Sequence, residues 1–335
     1  MRRASIAAVV LGAALLTGCG EKDEPAGRGA AEPFRLELDF YVNPDHVGVF
    51  EALERGYFEE AGLEVSAEVP SDPSAPIRQV AAGRADLAIS YEPEVLLARD
   101  QGLPVKAVGA LVPRPLTSMI WLRESGVREV GDLAGKTIAT AGIPYQSHFL
   151  DQILAGADLS ADDVKEVNVG FNLLPAVLSG SADAMLGGFL NVEGVDLAER
   201  GRDPVVRPVD TLGVPTYDEL VLVANTDELS DDPEPVRLFI AALERGTRDA
   251  VRDAAGATET ILEAGDGLDP KLTRAEIDRT LPLLLSEGDG RPYGYMDPRA
   301  WERFAGFFAD RGLISSRPSA AELLSNDYLP GEIPE

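Results

Sequence analysis

The chain has 335 residues, one cysteine, two histidines and a formal net charge of −27 from 30 basic and 57 acidic side chains. That balance excludes a phosphate-neutralising surface for nucleic acid, and acid spread over solvated faces serves solubility without naming a ligand. A single cysteine excludes a disulfide framework, and His46 and His148 alone offer few candidates for a zinc site or a nucleophilic triad.

The first element is a targeting segment. Arg2 and Arg3 precede an apolar run from Ile6 to Leu16, which ends in Leu16-Thr17-Gly18-Cys19. A positive start, an apolar stretch too short to span a bilayer and small residues before a cysteine describe a secretory signal over residues 1–19. The ending resembles a bacterial lipobox, which implies that Cys19 is lipidated and becomes the first mature residue. The alternatives are an ordinary signal peptide or a buried free cysteine. Residues 20–33 are polar and aperiodic and read as a flexible spacer. The expectation is a body on the extracytoplasmic side of the cell membrane, held there by a lipid anchor, with about 300 residues left for two lobes.

From there strands and helices alternate. Leu36 to Phe40 alternates as a strand, followed by the turn-rich Val42 to His46, and Val49 to Phe58 recurs at helical spacing. Strands are expected at 63–69, 85–90 and 105–111, with helices at 77–82 and around Val95 to Ala98. The rhythm restarts with strands at 136–140, 164–169 and 182–186 and helices at 145–154 and 174–178. Such alternation implies βαβ units and mainly parallel sheets. Val80 to Leu87 also parallels Val177 to Ala184, each a helix end, a glycine, a small residue and an Asp entering a strand.

Ser118 to Leu122 and Glu219 to Ala224 are extended apolar segments at the points where the chain would cross between halves. They are read as paired hinge strands. The expected division is 34–118 for lobe 1, 119–222 for lobe 2, and 223–335 for a return to lobe 1 with C-terminal helices.

Enzyme motifs are scarce. The sequence holds no Gly-x-Ser-x-Gly, Walker sequence, His-Glu-x-x-His or cysteine pair, so no catalytic residue, cofactor or metal is assigned. Ligands of open α/β sheets bind beyond the carboxyl ends of strands. Phe40, Asn43 and His46, then Tyr91 and Glu92, then Pro115 and Thr117, then Phe189, Asn191 and Glu193 occupy such positions. Their aromatic faces, two carboxylates and amides suit a small planar heteroaromatic with donors and acceptors on its edge. Core packing for Phe40, capping for Asn191 and dipole complementation for Glu193 are the plainer readings.

The stretch Leu38-Asp39-Phe40-Tyr41-Val42-Asn43-Pro44-Asp45-His46-Val47-Gly48 resembles the opening of the thiamin-pyrimidine-precursor-binding proteins of bacterial ABC importers, relatives of the yeast thiamin-pyrimidine synthase. Similar stretches are Glu54 to Phe58, Ala81 to Asp86, Ile89 to Glu94, Gly109 to Val112 with Pro115-Leu116, Asn172 to Ala176, Gly187 to Gly194 and Gly213 to Leu220. The similarity covers residues 36 to about 225 and is loose over the C-terminal helices.

The resemblance implies an α/β, two-lobed periplasmic-binding-protein type II clamp and a formylaminopyrimidine or hydroxymethylpyrimidine ligand. It also implies ABC permease and ATPase subunits as partners, with a monomeric binder and no nucleic acid. Tyr217, in the last similar stretch, completes the expected ligand-binding set. The family's stacking Trp and Tyr stand here as Phe40 and Phe189, which still stack but lose the indole and phenol donors. Riboflavin or sulfonate binders on the same scaffold are the alternative ligand classes. A pyrimidine-synthase-like enzyme is the alternative of another kind, and the yeast-type Cys-rich motif is missing. A sensor lipoprotein without a transport partner is the third reading.

Overall fold

A computed structural model describes residues 31–285 and 290–331. Its first half runs β1 (Glu32–Glu37), α1 (Val47–Glu54), α2 (Tyr57–Glu60), β2 (Leu63–Glu68), α3 (Pro76–Ala81), β3 (Leu87–Ser90), α4 (Glu92–Asp100) and β4 (Val105–Val112). The second runs β5 (Thr117–Leu122), β6 (Thr137–Thr140), α5 (Pro144–Ala155), β7 (Lys165–Asn168), α6 (Leu173–Leu178), β8 (Ala184–Phe189), α7 (Glu193–Glu199) and β9 (Pro204–Pro208). Then come β10 (Leu220–Asn225), α8 (Thr226–Asp231), α9 (Glu234–Arg252), α10 (Ala254–Ala264), α11 (Pro270–Leu284), α12 (Pro298–Asp310) and α13 (Ala320–Leu323).

The strands form two five-stranded sheets, ordered β2-β1-β3-β10-β4 and β7-β6-β8-β5-β9. In each, the fourth strand alone runs antiparallel: β10 against β3 and β4, and β5 against β8 and β9. The expected mainly parallel lobes are therefore present, and β10, which follows the second half, returns to complete the first sheet. Sequence follows burial here. Edge strand β2 alternates between buried or half-buried and exposed residues, whereas β3, β5 and β10, covered on both faces, are buried throughout.

The local repeat is structural. Gly83 and Gly180 close α3 and α6 at φ 64° and 72°, left-handed angles that a residue with a Cβ resists. Three residues on, Asp86 accepts the Arg35 amide of β1 at 2.6 Å and Asp183 accepts the Thr137 amide of β6 at 2.9 Å. Each aspartate thus pins its strand to the neighbouring parallel strand, β3 to β1 and β8 to β6.

Three expectations need correction. Strand β1 ends at Glu37, so Phe40 stands in the following loop rather than at a strand end. The hinge segments Ser118–Leu122 and Glu219–Ala224 lie mostly in β5 and β10, inside the sheets. The links between sheets are residues 113–116 and 209–219, so the expected divisions after 118 and after 222 fall within strands. The C-terminal helices do more than cover the first sheet. Phe239 of α9 stacks on Phe34 and Phe58 as expected, but Phe304 of α12 packs on Tyr217 and on Phe149 of α5.

Candidate ligand-binding cleft

A cavity of about 260 Å³ lies between the two sheets, beyond the carboxyl ends of β1, β3, β6, β7 and β8. The first-sheet wall is built on Asp39. Its Oδ1 accepts from His46 Nε2 at 2.7 Å, and its Oδ2 accepts from the Tyr91 hydroxyl at 2.7 Å. His46 Nδ1 in turn accepts the Asn43 amide at 3.3 Å, which leaves Nε2 as the protonated nitrogen. Asn43 caps the 44–46 turn by accepting the Asp45 amide at 2.9 Å. This network fixes the loop that carries Phe40 and Tyr41 into the cavity.

The second-sheet wall depends on a glycine. Gly187 has φ 109°, and a Cβ there would sit 2.3 Å from Gln146 Nε2. Gln146 can therefore reach the cavity while accepting the Ala141 amide at 2.8 Å. Two residues on, Phe189 donates its amide to Glu193 Oε2 at 2.7 Å, and both residues line the cavity. Burial pushes the Glu193 carboxyl up to about 7.

Contacts between the walls close the space. The Phe171 ring packs on Phe40 and Tyr41, with centroids 4.8 Å and 4.3 Å away. Behind the cavity, Asn191 Nδ2 donates to Asp45 Oδ1 at 2.9 Å and to Thr280 Oγ1 at 2.8 Å. Tyr91 and Tyr145 meet at 5.5 Å.

Of the expected binding residues, Phe40, Asn43, Tyr91, Phe189 and Glu193 line the cavity, and His46, Glu92, Pro115, Thr117, Asn191 and Tyr217 do not. His46 and Asn191 act through Asp39 and Asp45. Thr117 and Tyr217 serve the links: Glu219 Oε2 accepts from the Leu116 and Thr117 amides and from Tyr217, while Oε1 accepts the Thr117 hydroxyl. One buried carboxyl thus ties both inter-sheet links together. Glu92 accepts the Asp218 amide at 2.7 Å, away from the cavity, and Pro115 is buried in the first link. Cys19, the signal and most of the spacer lie outside the described residues.

Sequence reasoning missed Tyr145, Gln146, Phe171 and Glu276. The first two were read as helix-start polarity, although Pro144 marks a helix opening at a strand's carboxyl end, which is itself a site signal. Glu276 sits on α11, where a helical pattern reveals a buried face but not what it faces. Among the described lining residues there is no lysine, arginine or histidine, while Asp39, Glu193, Asp196, Asp269 and Glu276 all border the space. Such a chamber can take hydrogen-bond donors and cations and repels anions. No cluster suited to a metal ion occurs among the described residues.

Comparisons with known proteins fit this geometry. Residues 43–257 match the model of a family described as NMT1/THI5 like. The chain is 33% identical over 305 residues to the formylaminopyrimidine-binding protein of Halalkalibacterium halodurans, covering 90% of this chain and 92% of that one. It is 30% identical to the 4-amino-5-hydroxymethyl-2-methylpyrimidine phosphate synthase of Aspergillus parasiticus, over 67% of this chain and 68% of that one. Among solved structures, the alkanesulfonate-binding protein of Xanthomonas axonopodis pv. citri superposes with a TM-score of 0.68 at 20% identity, over 90% of this chain and 99% of that one.

Proposed function

The chain belongs to the NMT1/THI5-like family, and on that premise we propose that it is the extracytoplasmic solute-binding protein of an ABC importer, with an aminopyrimidine precursor of thiamin as its ligand. The acid-lined, aromatic cavity between two sheets is the observation that carries this reading. Phe189 offers a face for a heteroaromatic ring, and Glu193 lies where it can accept from an exocyclic amine on that ring's edge. A sulfonate placed there would be buried beside Glu193 and Glu276 without a cation among the described lining residues, which disfavours that ligand class despite the shared fold.

The role is binding rather than catalysis. The binding protein is 33% identical over 90% of the chain, against 24–30% over 67–89% for the synthases, and a sequence with one cysteine lacks the yeast-type Cys-rich motif. The full reading adds a lipid anchor on Cys19, a spacer over residues 20–33, and a monomer that docks on permease and ATPase subunits. Its two lobes join through residues 113–116 and 209–219.

A thermal-shift screen against aminopyrimidines, thiamin, flavins and sulfonates tests the ligand class. A ligand at a hundred times its Kd stabilises the fold by about 2.7 kcal/mol. The expected result is a shift with aminopyrimidines. A shift with sulfonates or flavins and none with any aminopyrimidine overturns the reading.

A further inference from the structure

Carboxyls dominate the polar lining of the cavity, and two of its side-chain donors are already used. Tyr91 gives its hydroxyl to Asp39, and Asn43 gives its side-chain amide to the Tyr41 carbonyl at 2.9 Å. Gln146 differs. Its side chain reaches the cavity from α5 and is only 1% exposed. Oε1 accepts the Ala141 amide at 2.8 Å, while Nε2 has no hydrogen-bond partner among the described residues. The bond to Ala141 also fixes which way the amide points, because a flipped Gln146 would set two donors against each other. A buried amide nitrogen without an acceptor is costly unless a bound molecule supplies one.

The backbone opposite is shaped to admit this amide. Along β5, Ser118 pairs with Gly188 and Met119 with Leu186, so Gly187 is an extra residue with no ladder partner, a bulge that bends β8. Its φ of 109° suits glycine, and a Cβ there would stand 2.3 Å from Gln146 Nε2. Two residues further on, Phe189 presents its ring face, and Glu193 the acceptor for an amine edge. Two residues of extended chain span about 7 Å, so the Gln146 donor stands beyond the edge of a ring stacked on Phe189. An acceptor carried on a side arm of that ring comes within its reach.

We propose that Gln146 Nε2 donates to an oxygen on the substituent at position 5 of the pyrimidine, so that Gln146 decides which aminopyrimidines the cleft takes. This rests on the aminopyrimidine reading and refines it. A formamide arm fits best, because an amide carbonyl is a stronger acceptor than a hydroxyl. A hydroxymethyl arm still accepts. An arm without oxygen leaves Nε2 buried and unpaired, and an ammonium arm sets donor against donor.

Calorimetry decides it, with 4-amino-2-methylpyrimidines bearing formylaminomethyl, hydroxymethyl or methyl at position 5. Each is titrated into the full chain and into its Gln146→Met variant, which keeps the side chain's length and removes the donor. The wild type should bind the formyl compound about tenfold or more tighter than the methyl compound, with the hydroxymethyl compound between them. That series stands on its own whether or not the variant folds. Gln146→Met should cost the formyl compound about tenfold and change the methyl compound by less than about threefold. A wild type that binds the methyl compound as tightly as the formyl one overturns the assignment. So does a variant that weakens all three equally or leaves the formyl compound unchanged, and in each case the pyrimidine reading stands. Failure of all three to bind the wild type overturns both.

Discussion

Glu193 Oε2 accepts the Phe189 amide at 2.7 Å, so the backbone of the residue that presents the ring also aims the carboxyl. The four-residue spacing at the start of α7 brings ring face and acid to one wall. An aminopyrimidine stacked on Phe189 then turns its amine edge toward Glu193. Glu193→Gln keeps an oxygen for the Phe189 amide but turns half of the acceptor into a donor. We expect aminopyrimidine affinity to fall by about tenfold or more, with an unchanged ligand-free melting temperature. Calorimetry that finds equal affinities removes Glu193 from the site.

Asn191 and Asp45 form a second relationship across the cleft. Asp45 belongs to the turn after β1 and Asn191 to the turn after β8, so their bond exists only when the lobes meet. Asn191→Ala leaves Asp45 buried without that donor in the closed form alone, a cost of about 1–3 kcal/mol. We expect the ligand-free variant to have a larger radius of gyration than wild type in solution scattering, and ligand to restore it, because only closed-state contacts can shift that equilibrium. Identical ligand-free radii would show that this bond does not hold the lobes.

Much of this was legible because it is local. The Gly83 to Asp86 and Gly180 to Asp183 segments carry their own geometry, a left-handed glycine and an aspartate one strand away from its amide, so the duplication shows in the residues. Strand β9 escaped notice because its five mostly half-buried residues begin and end in proline, Pro204 and Pro208, and read as loop. The alternation Leu36-x-Leu38-x-Phe40 overran β1, since the pattern persists past the last ladder pair at Glu37. Thr117 and Tyr217 were read from the sequence as ligand-binding residues, and in the structure both donate to Glu219. No local signal shows that Glu219 would gather donors from both links. Glu276 was invisible for the same reason, being distant in sequence from everything it faces.

Cys19, outside the described residues, carries the localisation reading. Because the proposed tether precedes β1, Cys19→Ser should leave the fold intact and move the mature protein from the membrane fraction to the soluble one. A cleaved variant that remains with the membrane would exclude lipid anchoring.

The last expectation concerns pH. Burial raises the Glu94, Glu193 and Glu219 carboxyls to about 7, Glu276 to about 8 and Asp218 to about 6. Against unfolded values near 4.5 for Glu and 3.8 for Asp, the folded chain binds more protons than the unfolded chain throughout that window. Stability conferred by protonated buried acids is present at low pH and is lost as pH rises through the folded values. Carboxyls shifted the other way, such as Asp72 and Asp249, titrate below 3.8 and do not offset the trend. The ligand-free protein should therefore melt at a higher temperature at pH 5.5 than at pH 8.5, by about 5 °C or more. Glu276→Gln should shrink that difference, since it removes the cavity carboxyl that burial raises furthest, to about 8 against about 7 for Glu193. A melting temperature that is flat or rises over this range would show that these carboxyls are ionised in the folded protein, and that water or a counter-ion reaches them.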